Sequence, residues 1–209
     1  MTPVDYARAR RTLARRDPIM RDLMRRHGGC GLANAQHADP FTALARAIIS
    51  QQLSTKAATT IAGRVAALCG HQGLAPAVVE ALTDLQLRAA GLSSQKIGYL
   101  RDLCFRIRTG ALRLDTIETL GDDGVIDALT QVKGIGRWTA EMFLIFRLHR
   151  PDVLPVGDLG IVKAVQRVYG LRKVPTPARL TRIGESWRPY RSIACWYLWA
   201  SLDNAPLKD

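Results

Sequence analysis

Apolar residues recur along this chain at spacings of three and four, the period of a helix with one buried face. Phe41, Leu44, Ala45, Ile48 and Ile49 make one such stripe, with Asp39 and Pro40 in front as N-cap and first-turn proline. Asp17 and Pro18 repeat that start signal before Met20, Leu23, Met24 and His27. Ile97, Leu100, Cys104 and Ile107 predict a third helix, capped by Ser93 or Ser94 and ended by Gly110. Trp138, Met142, Ile145, Phe146 and His149 predict a fourth, and Tyr190, Ile193, Ala194, Tyr197 and Leu198 the last of the chain. Single glycines and the Pro175/Pro177 pair separate the runs, giving about eleven helices. No segment alternates with period two for long. Val153 to Val156 comes nearest, and Pro155 makes it a loop. The expected fold class is all-α.

Composition narrows the class. With 209 residues and 47% hydrophobic side chains, the chain can bury a sizeable core. No run approaches the ~18 apolar residues of a membrane span. The first thirty residues lack a secretory apolar stretch. They are arginine-rich like a transit peptide, but Asp5, Asp17 and Asp22 argue against one. A soluble, cytoplasmic protein is expected, with no membrane partner. Lys and Arg outnumber Asp and Glu 30 to 18, a net charge of +12 that favours polyanions such as nucleic acid. Free use of arginine by a GC-rich genome is the plainer reading of that excess. Cysteines 30, 69, 104 and 195 are too far apart for the close-spaced pairs of zinc sites or the clusters of iron–sulfur sites.

The most informative stretch is Leu129-Thr-Gln-Val-Lys-Gly-Ile-Gly-Arg-Trp-Thr-Ala-Glu141. A helical run ends near Gln131, and Gly134 and Gly136 flank Ile135 in a tight turn before a second helix. Ile135 is placed to tuck between the helices. The amides at Gly134 and Gly136 are placed at a helix N-terminus, where backbone N–H groups and the helix dipole hold phosphate. Lys133 and Arg137 add full charges. Such contacts position a nucleic-acid backbone and read no sequence.

Twenty residues on, Leu154-Pro-Val-Gly-Asp158-Leu-Gly-Ile161 supplies a Gly-Asp loop that starts another helix. From about residue 18 to 203 the chain resembles the helix–hairpin–helix DNA glycosylase superfamily. Ile48-Ile-Ser-Gln-Gln-Leu-Ser54, the Gly134–Ala140 run and Trp187-Arg-Pro-Tyr-Arg-Ser192 are similar to its 3-methyladenine DNA glycosylase II branch. The resemblance implies a monofunctional enzyme that flips an alkylated purine from duplex DNA and hydrolyses its N-glycosidic bond, starting base excision repair. It implies Asp158 as the catalytic carboxylate. Chemistry agrees independently, because bond cleavage builds positive charge on the sugar that a fixed carboxylate stabilises. A plain helix N-cap is the structural alternative for Asp158.

Trp138 stands where the endonuclease III-like branch carries its Schiff-base lysine. An indole forms no imine, so strand-cutting lyase activity is not expected. Trp138 and Trp199 are implied as base-pocket residues, suited to a cationic base, and Gln52 or Leu53 as the wedge that fills the opened stack. Lys163 and Arg167 suit a phosphate contact or a solvated helix face equally well. The arginines at 8, 10, 11, 15 and 16 read as a solvated face. No cofactor is implied, and no metal for the chemistry. A monovalent cation on the hairpin carbonyls is a family feature that the sequence does not show.

The implied architecture is two lobes: residues 1–41 with 151–209, and a central helical domain 42–150 ending in the hairpin at about 122–149. The active cleft would lie between them, with no amino-terminal β-domain, since the residues before Phe41 read as helix. The expected partner is double-stranded DNA with damaged bases, bound by a monomer in a bacterial, nucleoid-associated setting. A glycosylase for ethenoadenine, hypoxanthine or uracil stays open as an alternative. So do a non-catalytic binder of damaged DNA and a bifunctional lyase.

Overall fold

A computed structural model describes residues 4–34 and 38–202. Its α-helices are α1 (Tyr6–Arg16), α2 (Pro18–His27), α3 (Pro40–Ser50), α4 (Thr55–Cys69), α5 (Pro76–Ala81) and α6 (Asp84–Ala89). They continue with α7 (Ser94–Arg108), α8 (Asp122–Thr130), α9 (Arg137–Met142), α10 (Leu159–Val168), α11 (Pro177–Gly184) and α12 (Arg191–Ala200). Short 3-10 turns and one π-helical turn (Phe143–Arg147) join them. Among the described residues there is no strand, and none of their helices is long and apolar enough to cross a membrane. The fold is all-α.

The start signals work as capping chemistry predicts. Asp39 accepts from the Thr42 N–H at 2.9 Å, Pro40 opens α3, and all five residues of the α3 stripe are buried. Ser93 rather than Ser94 caps α7. Asp17 caps α2 through the Ile19 and Met20 amides. All four cysteines are buried, and none is in a disulfide.

The chain forms two compact units, one joining Met1–Gln36 to Leu144–Asp209 and one spanning His37–Phe143. The terminal unit is built around α12. Eight of its residues, Ile193, Tyr197, Leu198 and Trp199 among them, are buried. A helix apolar on nearly every side belongs inside a core, where each large side chain contributes roughly 1.5–3 kcal/mol. The same unit buries Asp17, whose Oδ2 accepts from the Tyr169 hydroxyl and, at 3.0 Å, from the Trp187 indole N–H. With its two cap bonds the carboxylate has four donors, which offsets its loss of water. Burial and the Asp17 carboxylate push the Tyr169 phenol well above its ordinary value. In the central unit α7 is the spine, with α3, α5 and α6 packed on it.

One expected stripe is corrected. Trp138, Met142, Ile145, Phe146 and His149 do not share a buried face: Trp138 is 50% exposed, and Met142, Phe146 and His149 are half-buried. The buried set is instead Thr139, Ala140, Glu141, Phe143, Leu144, Ile145 and Leu148. Trp138 and Met142 lie off the buried side of α9, which Thr139, Ala140 and Glu141 form; beyond Met142 the π-helical turn is the reason. Its wider winding breaks the 3.6 register on which the stripe was counted, and His149 lies beyond the turn with φ of 51°.

Candidate active site and nucleic-acid interface

In the terminal unit, Asp158 closes a turn by donating its N–H to the Pro155 carbonyl at 3.0 Å, then caps α10. Its Oδ1 accepts from the Ile161 N–H at 2.7 Å and from the Trp199 indole N–H at 3.0 Å. The residue is 7% exposed. Burying a carboxylate is costly unless donors replace water; two N–H groups and the positive end of α10 do so here. Gly160 makes room for the pair. A Cβ there would lie 3.0 Å from Asp158 Oδ1 and 3.1 Å from Trp199 Cδ1. On its other side Trp199 leans on Phe146, ring centroids 5.6 Å apart.

The Trp187–Ser192 run anchors the chain leading to Asp158. The Ser192 hydroxyl donates to the Arg150 carbonyl at 2.6 Å and accepts from the Val153 N–H at 3.0 Å. Arg191 grips Asp152 through Nε at 2.7 Å and Nη2 at 3.1 Å, and Arg188 Nη1 adds a third bond at 2.8 Å. The carboxylate is therefore held from both directions along the chain. Trp196 and Tyr197 point elsewhere, to Gly31 and to the Gly28 carbonyl. A cavity of about 570 Å³ in this unit, lined by Tyr169, Thr176, Arg179 and Arg182 among others, includes neither Asp158 nor Trp199.

In the central unit, α8 and α9 meet at the glycine turn. Ile135 is buried, and its N–H donates to the Val132 carbonyl at 3.0 Å. Gly134 takes φ of 82°, and a Cβ there would strike the Tyr99 ring at 2.1 Å. Gly136 differs. It caps α9 without any side-chain hydrogen bond, and a Cβ there would meet nothing within 4 Å. Lys133 is exposed, while its backbone N–H donates to Asp102 Oδ2 at 2.9 Å. Arg137 Nε donates to buried Glu141 at 3.0 Å, and its side chain remains 66% exposed. Trp138 follows on α9, half-exposed.

The loop between α3 and α4 carries the expected wedge residues. Gln52 is exposed and takes φ of 57°, a left-handed conformation that costs a non-glycine residue roughly 1–2 kcal/mol. Leu53 is half-buried, with its N–H on the Ser50 carbonyl at 3.2 Å. Gln51 Nε2 donates to the Gly134 carbonyl at 2.8 Å, tying this loop to the hairpin.

A family model described as the HhH-GPD superfamily of base excision DNA repair proteins matches residues 45–189. The chain belongs to that superfamily. It is 38% identical over 165 residues to DNA-3-methyladenine glycosylase 1 of Schizosaccharomyces pombe, covering 77% of this chain and 72% of that one. A DNA-3-methyladenine glycosidase from Bacillus halodurans superposes with a TM-score of 0.81 at 37% identity, covering 92% of this chain and 88% of that one. A Schizosaccharomyces pombe 3-methyladenine DNA glycosylase, solved in complex with abasic DNA, gives 0.81 at 31%, covering 97% and 100%.

In this HhH-GPD chain the matched segment holds the Gln52 loop, the hairpin and Asp158, and ends before α12, which supplies Trp199. Within the terminal unit the structure brings Asp158 and Trp199 together; within the central unit it brings the Gln52 loop to the hairpin. Lys163 and Arg167 are exposed on α10. Arg8, Arg11, Arg15 and Arg16 are exposed on α1, and Arg10 is half-buried. The sequence reading passed over Gln51, Tyr99, Asp102 and Gly160. Gln51 and Gly160 lie within the family-like Ile48–Ser54 and Leu154–Ile161 runs; Tyr99 and Asp102 carry no local signal, because only the folded α7 brings them under the turn. Among the described residues no cluster of His, Cys, Asp or Glu could hold a metal. The Val132 carbonyl accepts from the Ile135 N–H and the Gly134 carbonyl from Gln51 Nε2; backbone carbonyls of this kind, each with two lone pairs, are the neutral oxygens that would hold a monovalent cation at the turn.

Proposed function

We propose that this chain is a DNA glycosylase that hydrolyses the N-glycosidic bond of alkylated purines in duplex DNA and so initiates base excision repair. The observation that carries the reading is a buried carboxylate, Asp158, held by two N–H donors in a chain of the HhH-GPD superfamily. The C1′–N bond breaks with its electron pair leaving on the base, and positive charge develops on the deoxyribose. Asp158 stabilises that charge. Water then attacks C1′ and loses its proton to the carboxylate or to solvent. Methylation at N3 of adenine or N7 of guanine makes the base cationic and a better leaving group, and an exposed indole such as Trp138 attracts a cation.

In this reading the Gly134–Gly136 turn, with Lys133 and Arg137, grips backbone phosphate. Gln52 or Leu53 enters the opened stack. Trp199 has two tasks, walling the pocket and holding Asp158. An indole at position 138 supports base release without strand cutting, because it forms no imine. A monomer acting on DNA in the cytoplasmic nucleoid suffices for these steps.

The test is base release from duplex DNA treated with dimethyl sulfate, with no added metal. Wild type is expected to free 3-methyladenine and 7-methylguanine and to leave the strand uncut. Asp158→Asn is expected to free neither while binding DNA as before. Full activity in that variant overturns the assignment of Asp158. Covalent trapping by borohydride overturns the monofunctional reading. No release by wild type with DNA binding intact redirects the search to other lesions.

A further inference from the structure

Outside the residues assigned above, the central unit carries a clasp. One stripe of α7, Gln95 and Lys96, then Tyr99, Asp102 and Arg106, follows helical spacing. At one end Lys96 Nζ donates to the Ile49 carbonyl at 2.7 Å, on the last turn of α3 just before the wedge loop. In the middle the Tyr99 ring fills the space that a side chain at Gly134 would need, and its hydroxyl accepts from Gln95 Nε2 at 2.7 Å. At the far end Asp102 accepts the Lys133 N–H and the Arg106 Nε–H, at 2.9 and 2.8 Å. One helix face therefore holds both DNA-facing turns, and Gln51 closes the ring from loop to hairpin.

We infer that Gln51 is a positioning residue: its side-chain amide, bonded to the Gly134 carbonyl, locks the wedge loop to the phosphate-gripping hairpin so that gripping and stack opening occur as one rigid act. Gln52 holds a left-handed backbone between two fixed points, the Gln51 bond on one side and the Leu53–Ser50 turn bond on the other. Released at Gln51, the loop relaxes toward commoner backbone angles, and the wedge loses its aim. The hairpin keeps its phosphate donors, because Tyr99 and Asp102 still hold it. The inference rests on the proposed function in taking residues 52 and 53 as the wedge and the Gly134–Gly136 turn as the phosphate grip.

The experiment compares wild type with Gln51→Met, which keeps length and volume but removes the donor. The probes are an intact duplex and the same duplex with a stable abasic analogue flanked by 2-aminopurine. Loss of one hydrogen bond is expected to lower the preference for the abasic over the intact duplex about five- to tenfold. Affinity for the intact duplex should stay within about twofold, because backbone contacts dominate it. The 2-aminopurine fluorescence rise on binding should shrink in parallel. Lys96→Met, at the other end of the clasp, is expected to act in the same direction and serves if the first variant does not fold. Unchanged preference and fluorescence in the folded variants overturn the inference. So does an equal fall in affinity for both duplexes, which would make Gln51 a support for the hairpin alone. A wild type that prefers the abasic duplex but frees no methylated purine overturns the proposed function and leaves the clasp standing.

Discussion

The N-termini of α10 and α9 both follow a glycine-bearing turn, and their amides end up in opposite situations. At α10 the helix is closed by its own chain: Asp158 caps it, is 7% exposed, and turns the local dipole inward onto a fixed carboxylate. At α9 the cap is Gly136, with no side-chain cap bond and open space where a Cβ would be. A filled N-terminus stabilises an internal anion, and an open one leaves donors for an external anion. In the proposed reading, the same helix-end physics holds the reacting carboxylate in one unit and offers a phosphate seat in the other. Which of the two a turn becomes depends on a single side chain.

The comparison breaks most sharply at Asp158. Asparagine there can still accept from the Ile161 amide, so α10 keeps its cap, but the negative charge is gone. A loss of about three orders of magnitude or more in single-turnover base release is expected, with the melting temperature nearly unchanged. A variant that melts much earlier and still excises would reverse the assignment, leaving Asp158 a cap and nothing else.

The two hairpin glycines come next, and they should separate. Gly134→Ala drives a Cβ to 2.1 Å from the Tyr99 ring at a positive φ. Destabilisation of about 2–4 kcal/mol is expected, read by thermal or urea unfolding. Gly136→Ala meets no atom within 4 Å, so it should fold like wild type. Its added methyl stands where phosphate would approach, and affinity for intact duplex should fall severalfold. Equal effects at the two positions would remove the distinction between a glycine needed for packing and one needed for approach.

Gly160→Ala sharpens the other end. Its Cβ would crowd both partners of the Asp158–Trp199 bond, at 3.0 and 3.1 Å. A tilt of the carboxylate should lower the single-turnover rate about tenfold while DNA affinity holds. Trp199→Phe removes the donor without the crowding and should move the rate in the same direction. If both leave the rate untouched, the indole does not aim the carboxylate.

How far these features could be read from sequence follows the range of the interactions. Asp17, Asp39 and Ser93 act on amides two or three residues away, so their helix starts were legible. Ile135 was legible as the buried residue of the turn, because the glycines on both sides fix its place. The later half of the Trp138–His149 stripe was not legible, because a π-helical turn at Phe143–Arg147 leaves no mark in apolar spacing. Trp199 was read as a pocket wall, but its bond to Asp158 spans 41 residues and exists only once α10 and α12 pack. Tyr99 and Asp102 serve the hairpin across more than thirty residues, and nothing local announces them.

The smallest expected effect concerns acid. Asp102, mostly buried beneath the hairpin, feels burial as an upward push on its carboxyl. The Lys133 N–H, the Arg106 guanidinium and the Lys133 charge outweigh it together, and the carboxyl sits below its ordinary value of 3.8. The folded state therefore holds this proton less tightly than the unfolded chain. The stability it contributes is fully present above about pH 4 and is lost as pH falls through the lowered value. From pH 7 to 5 the hairpin should not respond. As pH falls through that lowered value, protonation cancels the charge that faces Arg106 and weakens the acceptor for the Lys133 amide, so amide exchange at residues 133–136, corrected for the intrinsic pH dependence, should quicken. Asp102→Asn keeps an acceptor for that amide but has no proton to gain. Its unfolding curve should start lower at pH 7 and fall less steeply into acid than wild type. An acid slope identical in the two proteins would mean that other carboxylates govern it and that the hairpin's floor is held by Tyr99 alone.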